Sequence, residues 1–249
     1  MMRPRNRKSV LAAMSALFMF PSVPGQSPAQ MDRNPMSREE KAAGTGICTD
    51  RLTPGQRASW KEIVAIVGEK DTRGEPLHPQ LFRLWQWAQH SGHTIYIELP
   101  DAGVPLGFSA GKFWVESFGE SGLRHTAALR LNRRIIDAAV SALDNQVEPD
   151  FVPFKGLDRK RRYAEVLGHE LTHAFDILGD PDLARMSQQL FQATAEIPLK
   201  KGALRIPAEM QARLLELQAA MLEREKTARV SEKAIWSELL SGQQAKAKS

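Results

Sequence analysis

The segment Leu167–Asp176 reads LGHELTHAFD and contains two histidines with a glutamate directly after the first. His169 and His173 are four residues apart, so on a helix their side chains project from one face, about one turn apart. Two imidazoles in that arrangement can bind one Zn²⁺, and Glu170 then lies where it can take a proton from a zinc-bound water. The spacing predicts a helix that supplies two metal ligands and a general base.

The residues around this motif also predict the helix. Apolar residues recur at helical spacing and would pack one side of the helix against a core; they are Ala164, Leu167, Leu171, Ala174, Phe175 and Leu178. Gly179 is typical of a helix C-terminus, and Asp180 followed by Pro181 is typical of the start of the next helix. We therefore expect a helix from Arg159 to about Leu178.

The run Val166–Asp176 resembles the active-site helix of zincin metallopeptidases, and its local residues are similar to those of the neprilysin family. The resemblance covers roughly residues 163–179 and does not extend to the rest of the chain. It implies a zinc-dependent peptidase that acts on a peptide or protein substrate. His169 and His173 would be zinc ligands, and Glu170 would be the catalytic general base.

A zinc site of this kind needs a third protein ligand and keeps a fourth position for water. The metzincin pattern would place other residues at Asp176 and Gly179, so it is disfavoured. The gluzincin pattern takes a glutamate from a later helix, with a small residue three positions on, and Glu225 with Ala228 fits it. Arg229 departs from that pattern, because Asp or Asn is usual there.

The third ligand therefore has two leading candidates. Glu232 lies seven residues after Glu225 and would share its helical face, so each could be the metal ligand or a partner of one. Asp176, one turn after His173, could orient a ligand imidazole. Four further glutamates remain possible ligands: Glu196, Glu209, Glu216 and Glu238. Candidates for a donor that stabilises the developing oxyanion are His125, Tyr96, Tyr163 and Arg229.

The beginning of the sequence has the features of a Sec-type signal peptide. Four basic residues precede an apolar run, Val10–Phe20, and Ser27–Ala29 offers a small-x-small cleavage site. The apolar run is too short to span a bilayer unaided. We predict a signal peptide at residues 1–29, a periplasmic or secreted protein and no stable membrane span after cleavage. An uncleaved membrane anchor is the alternative.

The charge of the chain depends largely on that segment. The formal net charge is +5, and removing the four basic residues of the signal leaves +1, so the composition indicates no nucleic-acid partner. A basic cluster, Lys155 with Arg159–Arg162, could attract an acidic substrate, although a solvated helix start is the commoner explanation. Cys48 is the single cysteine and can form no intramolecular disulfide.

The rest of the chain predicts an α+β, zincin-like domain at residues 51–242, with a small N-terminal strand region and a mostly helical C-terminal half. Residues 30–50 are expected to be a polar leader and residues 243–249 a polar tail. Strands are expected at 93–99, 112–117 and 125–132, and the last would be the edge that pairs with an extended peptide. Helices are expected from 54 and at 79–90, 183–195, 207–225 and 230–240.

Three functions remain open from the sequence. The first is an exported zinc metallopeptidase. The second is a non-catalytic, zincin-like interaction or sensing protein of the envelope, which the departure at Arg229 keeps open. The third is a metal-free secreted helical adaptor. Zinc content separates the third from the others, and chelator-sensitive peptide cleavage separates the first from the second.

Overall fold

A computed structural model describes residues 46–100, 110–118, 124–137, 156–196 and 208–247. The predicted signal peptide and most of the predicted leader lie outside these ranges and stay predictions. Within the described ranges, no helix combines the length and the apolar character needed to cross a membrane.

Four strands of the described residues form one mixed sheet. They are β1 (Gly46–Cys48), β2 (Thr94–Glu98), β3 (Gly111–Phe118) and β4 (His125–Leu131), in the order β1-β2-β4-β3. β1, β2 and β4 run parallel, and β3 runs antiparallel to β4. The three strands predicted from alternating side chains are confirmed to within a residue or two at their ends.

Two expectations about the sheet are wrong. Gly46–Cys48 belongs to the sheet and not to a loose leader, because its backbone pairs with β2 and the Gly46 N–H donates to the His93 carbonyl at 2.6 Å. β4 is an inner strand, paired with β2 on one side and β3 on the other. The edge strand on this side of the described sheet is β3. Strand order depends on which strands pair in space, and the alternation within one strand carries no information about that.

Within the described residues, five helices with defined bounds pack around the sheet: α1 (Pro54–Val67), α2 (Pro79–His90), α3 (Arg159–Leu178), α4 (Pro181–Glu196) and α5 (Ala208–Lys246). Residues 133–137 are also helical. The first begins at a capping box, in which the Thr53 hydroxyl accepts from Gln56 N–H and the Gln56 side chain accepts from Thr53 N–H. α3 has the predicted bounds, with Asp158 as its N-cap and Gly179 after its last turn. The mixed α+β architecture with a largely helical C-terminal half is confirmed.

The end of the chain differs from the expectation of two helices. α5 is one continuous helix of 39 residues, because no glycine or proline interrupts it between Glu225 and Val230. Arg229 bridges back to Glu225 and forward to Glu232 within the same helix. The helix also extends into the predicted tail, where the Gln243 side chain donates to Gly156 O and accepts from Asp158 N.

α3 lies at the centre of the molecule, and most of its side chains are buried. It packs against β3 and β4 on one side and against α1, α2 and α5 on the others. Gly168 permits the close approach of α5 and of α2, since a Cβ there would lie 2.6 Å from Ile235 Cδ1 of α5 and 3.1 Å from Leu81 Cδ1 of α2. This contact, one residue before His169, brings the middle of α5 against the histidine face of α3.

Candidate metal centre

The two histidines of α3 face each other across one helical turn. His169 and His173 are 8% and 7% exposed, and their rings meet edge to face with centroids 4.8 Å apart. Their Nε2 atoms are 3.2 Å apart. The predicted convergence of the two imidazoles is confirmed.

A carboxylate from α5 completes the group. Glu225 Oε2 lies 3.1 Å from His173 Nε2 and 3.6 Å from His169 Nε2. These three side chains offer ligand atoms that all lie within 4.8 Å of one another, so they could hold a metal ion. Glu225 is one of the two glutamates that the sequence favoured as third ligand.

The spacing of the three ligand atoms matches what a tetrahedral zinc site requires. Zinc binds imidazole nitrogen and carboxylate oxygen at about 2.0–2.2 Å, which puts neighbouring ligand atoms about 3.3 Å apart at tetrahedral angles. The three observed separations, 3.1, 3.2 and 3.6 Å, lie on both sides of that value. Two imidazoles with one carboxylate are also a ligand set of known catalytic zinc sites.

Glu232 and Glu225 lie near different ring nitrogens of His169. Its Oε2 lies 3.3 Å from the Nδ1 atom of His169, on the side of the ring away from the Nε2 atoms. A histidine that ligates metal through Nε2 commonly directs its Nδ1–H to a carboxylate, which orients the ring. The geometry thus places Glu225 with the ligand atoms and Glu232 behind one of the ligands.

The electrostatics of the group favour a positive charge among these side chains. Burial by itself would lower the pKa of His169, yet Glu225 and Glu232 outweigh burial and raise it to about 10. Hydrogen bonds from His169 and His173 hold the pKa of Glu225 well below its usual range. Arg229 compensates part of the negative charge of Glu225 and Glu232, and a proton or a metal ion at the imidazoles would compensate more of it.

Glu170 lies on the neighbouring face of α3, under the beginning of β3. It is only 4% exposed, and burial raises the pKa of its carboxyl group. Gly111 makes room for it, because a Cβ at Gly111 would lie 2.6 Å from Glu170 Cγ and 2.7 Å from Cδ. A carboxyl whose pKa is raised by burial holds a proton more firmly, which suits a group that takes up a proton and passes it on.

The sequence did not single out Gly111 as a site residue. The available signal was a glycine at the start of a strand, because glycine in a strand often marks a place where another group approaches the backbone closely. The partner in that approach comes from α3, more than fifty residues later, so the sequence alone could not name it.

Of the proposed oxyanion donors, only Arg229 contacts the site; it donates from Nε to Glu225 Oε1 and from Nη1 to Glu232 Oε2. Tyr163 donates to Asp137 instead, and burial together with Asp137 raises its pKa to about 12. The remaining two candidates lie elsewhere. His125 is the first residue of β4, and its ring stacks on His93. Gly111 pairs with the last residue of β4, so His125 lies at the opposite end of that strand. Tyr96 lies under the Arg51 guanidinium.

The other acidic candidates do not join the group. Asp176 interacts electrostatically with His173, and neither its Oδ2 atom nor His173 Nδ1 has a hydrogen-bond partner in the described part of the chain, so its role in orienting this imidazole stays a prediction. Glu238 accepts from the Gln80 N–H at 3.1 Å, and Glu216 is exposed. The side chains of Glu196 and Glu209 lie outside the described residues.

The basic cluster before the motif is neutralised by acidic partners. Arg159 pairs with Asp137, Lys160 with Glu62 and Arg162 with Glu165. Arg161 is buried and pairs with both Glu69 and Asp158. These partners favour a structural role for residues 159–162, while Lys155 lies outside the described residues.

Comparison of the chain with protein-family models, with curated proteins and with solved structures finds no match. The resemblance to zincin metallopeptidases therefore rests on the residues of α3 themselves.

Proposed function

We propose that this protein is a zinc-dependent peptidase of zincin-like architecture, in which His169, His173 and Glu225 bind the metal and Glu170 is the general base. The observation that carries the proposal is the triangle of His169 Nε2, His173 Nε2 and Glu225 Oε2, with sides of 3.1 to 3.6 Å. Together with a buried glutamate directly after the first histidine, this triangle supports hydrolysis better than metal storage or a purely structural metal.

Zinc in such a site supplies Lewis acidity, which makes a water molecule more acidic and polarises a carbonyl group. The protein's own contribution is to hold and move the proton. Glu170 accepts it from the water and later returns it to the leaving amine. Burial raises the pKa of Glu170, so its carboxyl group holds a transferred proton more firmly than an exposed glutamate would.

The position of β3 supports a peptide as the substrate. β3 pairs with β4 on one side, and in the described part of the chain no strand pairs with its other side. The Val115 N–H on that side is covered by Ser187 Oγ of α4, at 3.2 Å. We propose that an extended peptide adds to the sheet at the outer edge of β3, the strand whose first residue, Gly111, lies against Glu170.

The test is a Glu170→Gln variant assayed with a peptide library for cleavage and by elemental analysis for zinc. We expect wild-type protein to carry one tight zinc ion and to cleave peptides in a reaction that a chelator abolishes. The Gln variant should keep the zinc and lose cleavage by at least about 100-fold, the lower end of the range for general-base removal. Glu223→Gln is a matched control, because Glu223 is an exposed glutamate of α5 paired with Lys226.

The outcomes separate the three functions. Zinc without cleavage in the wild type would favour a non-catalytic interaction or sensing protein. Protein that binds no zinc would favour the helical adaptor. Cleavage by Glu170→Gln at the wild-type rate would contradict the assignment of the base.

The predicted signal peptide implies that the proposed activity lies outside the cytoplasm. The mass of the exported protein should then correspond to a chain that begins after residue 29.

A further inference from the structure

We propose that Arg229 is a positioning residue of the metal centre, which holds Glu225 and Glu232 in different roles around His169. This inference rests on the proposed function, since it concerns the same site. It assigns a task to the residue at which the chain departs from the gluzincin pattern.

Arg229 divides its donors between the two carboxylates. Its Nε donates to Glu225 Oε1 at 2.9 Å, and its Nη1 donates to Glu232 Oε2 at 2.9 Å. The other oxygen of Glu225 is the one that lies among the Nε2 atoms of His169 and His173. Arg229 thus occupies one oxygen of Glu225 and leaves one oxygen for the metal.

The same guanidinium keeps Glu232 behind His169. Glu232 Oε2 lies 3.3 Å from His169 Nδ1 while it accepts from Arg229. Glu232 is nearly buried, whereas the side chain of Glu225 is 38% exposed and has more freedom to turn toward water. Fixing Glu225 is therefore the larger part of the effect.

An arginine suits this task because its planar guanidinium presents several N–H donors in fixed directions. A lysine has one ammonium group and would engage the two carboxylates less well. Arg229 is itself 59% exposed, and its pair with Glu225 lies at the surface of one helix, where ion pairs contribute little to folding. The nearly buried Glu232 keeps His169 as a second partner when Arg229 is replaced. Its loss should therefore change metal binding far more than it changes the stability of the metal-free protein.

The experiment compares Arg229→Gln and Arg229→Lys with the wild type and with Lys226→Gln. Lys226 is the matched control, because it is a cationic residue of the same helix that pairs with Glu223 and not with the site. Zinc affinity is measured by competition with a chelating dye. The melting temperature of the metal-free protein and the absorption spectrum of the Co²⁺-loaded protein are measured in parallel.

We expect Arg229→Gln to weaken zinc binding about 10- to 100-fold, the usual effect of removing a partner that orients a metal ligand. Arg229→Lys should recover part of the loss, and Lys226→Gln should bind zinc as the wild type does. The Co²⁺ spectrum should change in Arg229→Gln, while the melting temperature of the metal-free protein should move by less than about 2 °C.

Each other result overturns the inference in a distinguishable way. Equal zinc affinity in Arg229→Gln and in a zinc-binding wild type would reject the positioning role and leave the proposed function intact. Equal losses in Arg229→Gln and Lys226→Gln would show that only the general charge of α5 matters. A large fall in the melting temperature of both metal-free Arg229 variants would show a structural role. A wild type without zinc would reject this inference and the proposed function together.

Discussion

Replacing Gly111 by alanine should displace Glu170 and remove hydrolysis while the metal stays bound. A Cβ at residue 111 would lie 2.6 Å from Glu170 Cγ and 2.7 Å from Cδ, closer than real Cβ atoms approach other atoms. The glutamate must retreat by about 1 Å to restore ordinary van der Waals contact. Glu170 is 4% exposed, so little free space surrounds it.

The expected effect on the reaction is large because a general base acts over a short range. A displacement of about 1 Å can cost about 100-fold in rate, so kcat/KM should fall by about that factor. Overpacking a core contact costs about 1–3 kcal/mol of unfolding free energy. For a domain of this size that corresponds to a fall of roughly 2–10 °C in melting temperature.

The assay measures kcat/KM on a peptide that the wild type cleaves, together with zinc content and melting temperature. Gly68→Ala serves as the control, since the nearest atom to a Cβ at Gly68 is 3.7 Å away and its backbone conformation is ordinary. A Gly111→Ala protein that is as active and as stable as the wild type would refute the placement of Glu170 beneath β3. Loss of zinc together with activity would refute the separation of the base from the metal ligands.

Three further predictions follow from contacts in and around the site. Glu225→Ala should lose bound zinc, whereas Glu232→Ala should still bind one zinc ion with an affinity lower by about 10- to 100-fold. Elemental analysis measures the zinc content of each variant, and dye competition measures its zinc affinity. If Glu232→Ala lost zinc and Glu225→Ala kept it, the roles of the two glutamates would be exchanged. Burial lowers the pKa of His93 and of His125, so the unfolded chain takes up protons below about pH 6.5 before the folded protein does. These two histidines should therefore lower the unfolding free energy of the metal-free protein as the pH drops through that range, by at most about 1.4 kcal/mol per pH unit for each histidine. Glu165 and Glu170, whose pKa burial raises, act in the opposite direction, so the measured quantity is the difference between the wild type and a His93→Gln/His125→Gln double variant in denaturant titrations. A difference that does not change with pH would contradict this origin. Gly168→Ala should cost about 1–3 kcal/mol of stability by pushing α5 away from α3, and a melting temperature equal to that of the wild type would show that the two helices adapt.

Local spacing was enough to predict α3 and the two histidines on one of its faces. An α-helix repeats every 3.6 residues whatever surrounds it, so residues 169 and 173 must lie together once the segment is helical. The same reasoning predicted β2, β3 and β4, because side-chain alternation and turn residues are also local signals. It failed at β1, whose three residues form a strand only because β2 pairs with them.

Only the tertiary structure determined which residues pack against the histidine face of α3. Glu225 and Glu232 are equivalent in sequence, since both lie on one face of α5, and only the crossing of α5 over α3 near Gly168 separates their roles. The approach of Gly111 to Glu170 and the outer position of β3 likewise depend on how distant segments pack. Helical periodicity relates residues a few positions apart, whereas these contacts depend on segments more than thirty positions apart. The sequence therefore determined which chemical groups the site contains, and packing determined their places in it.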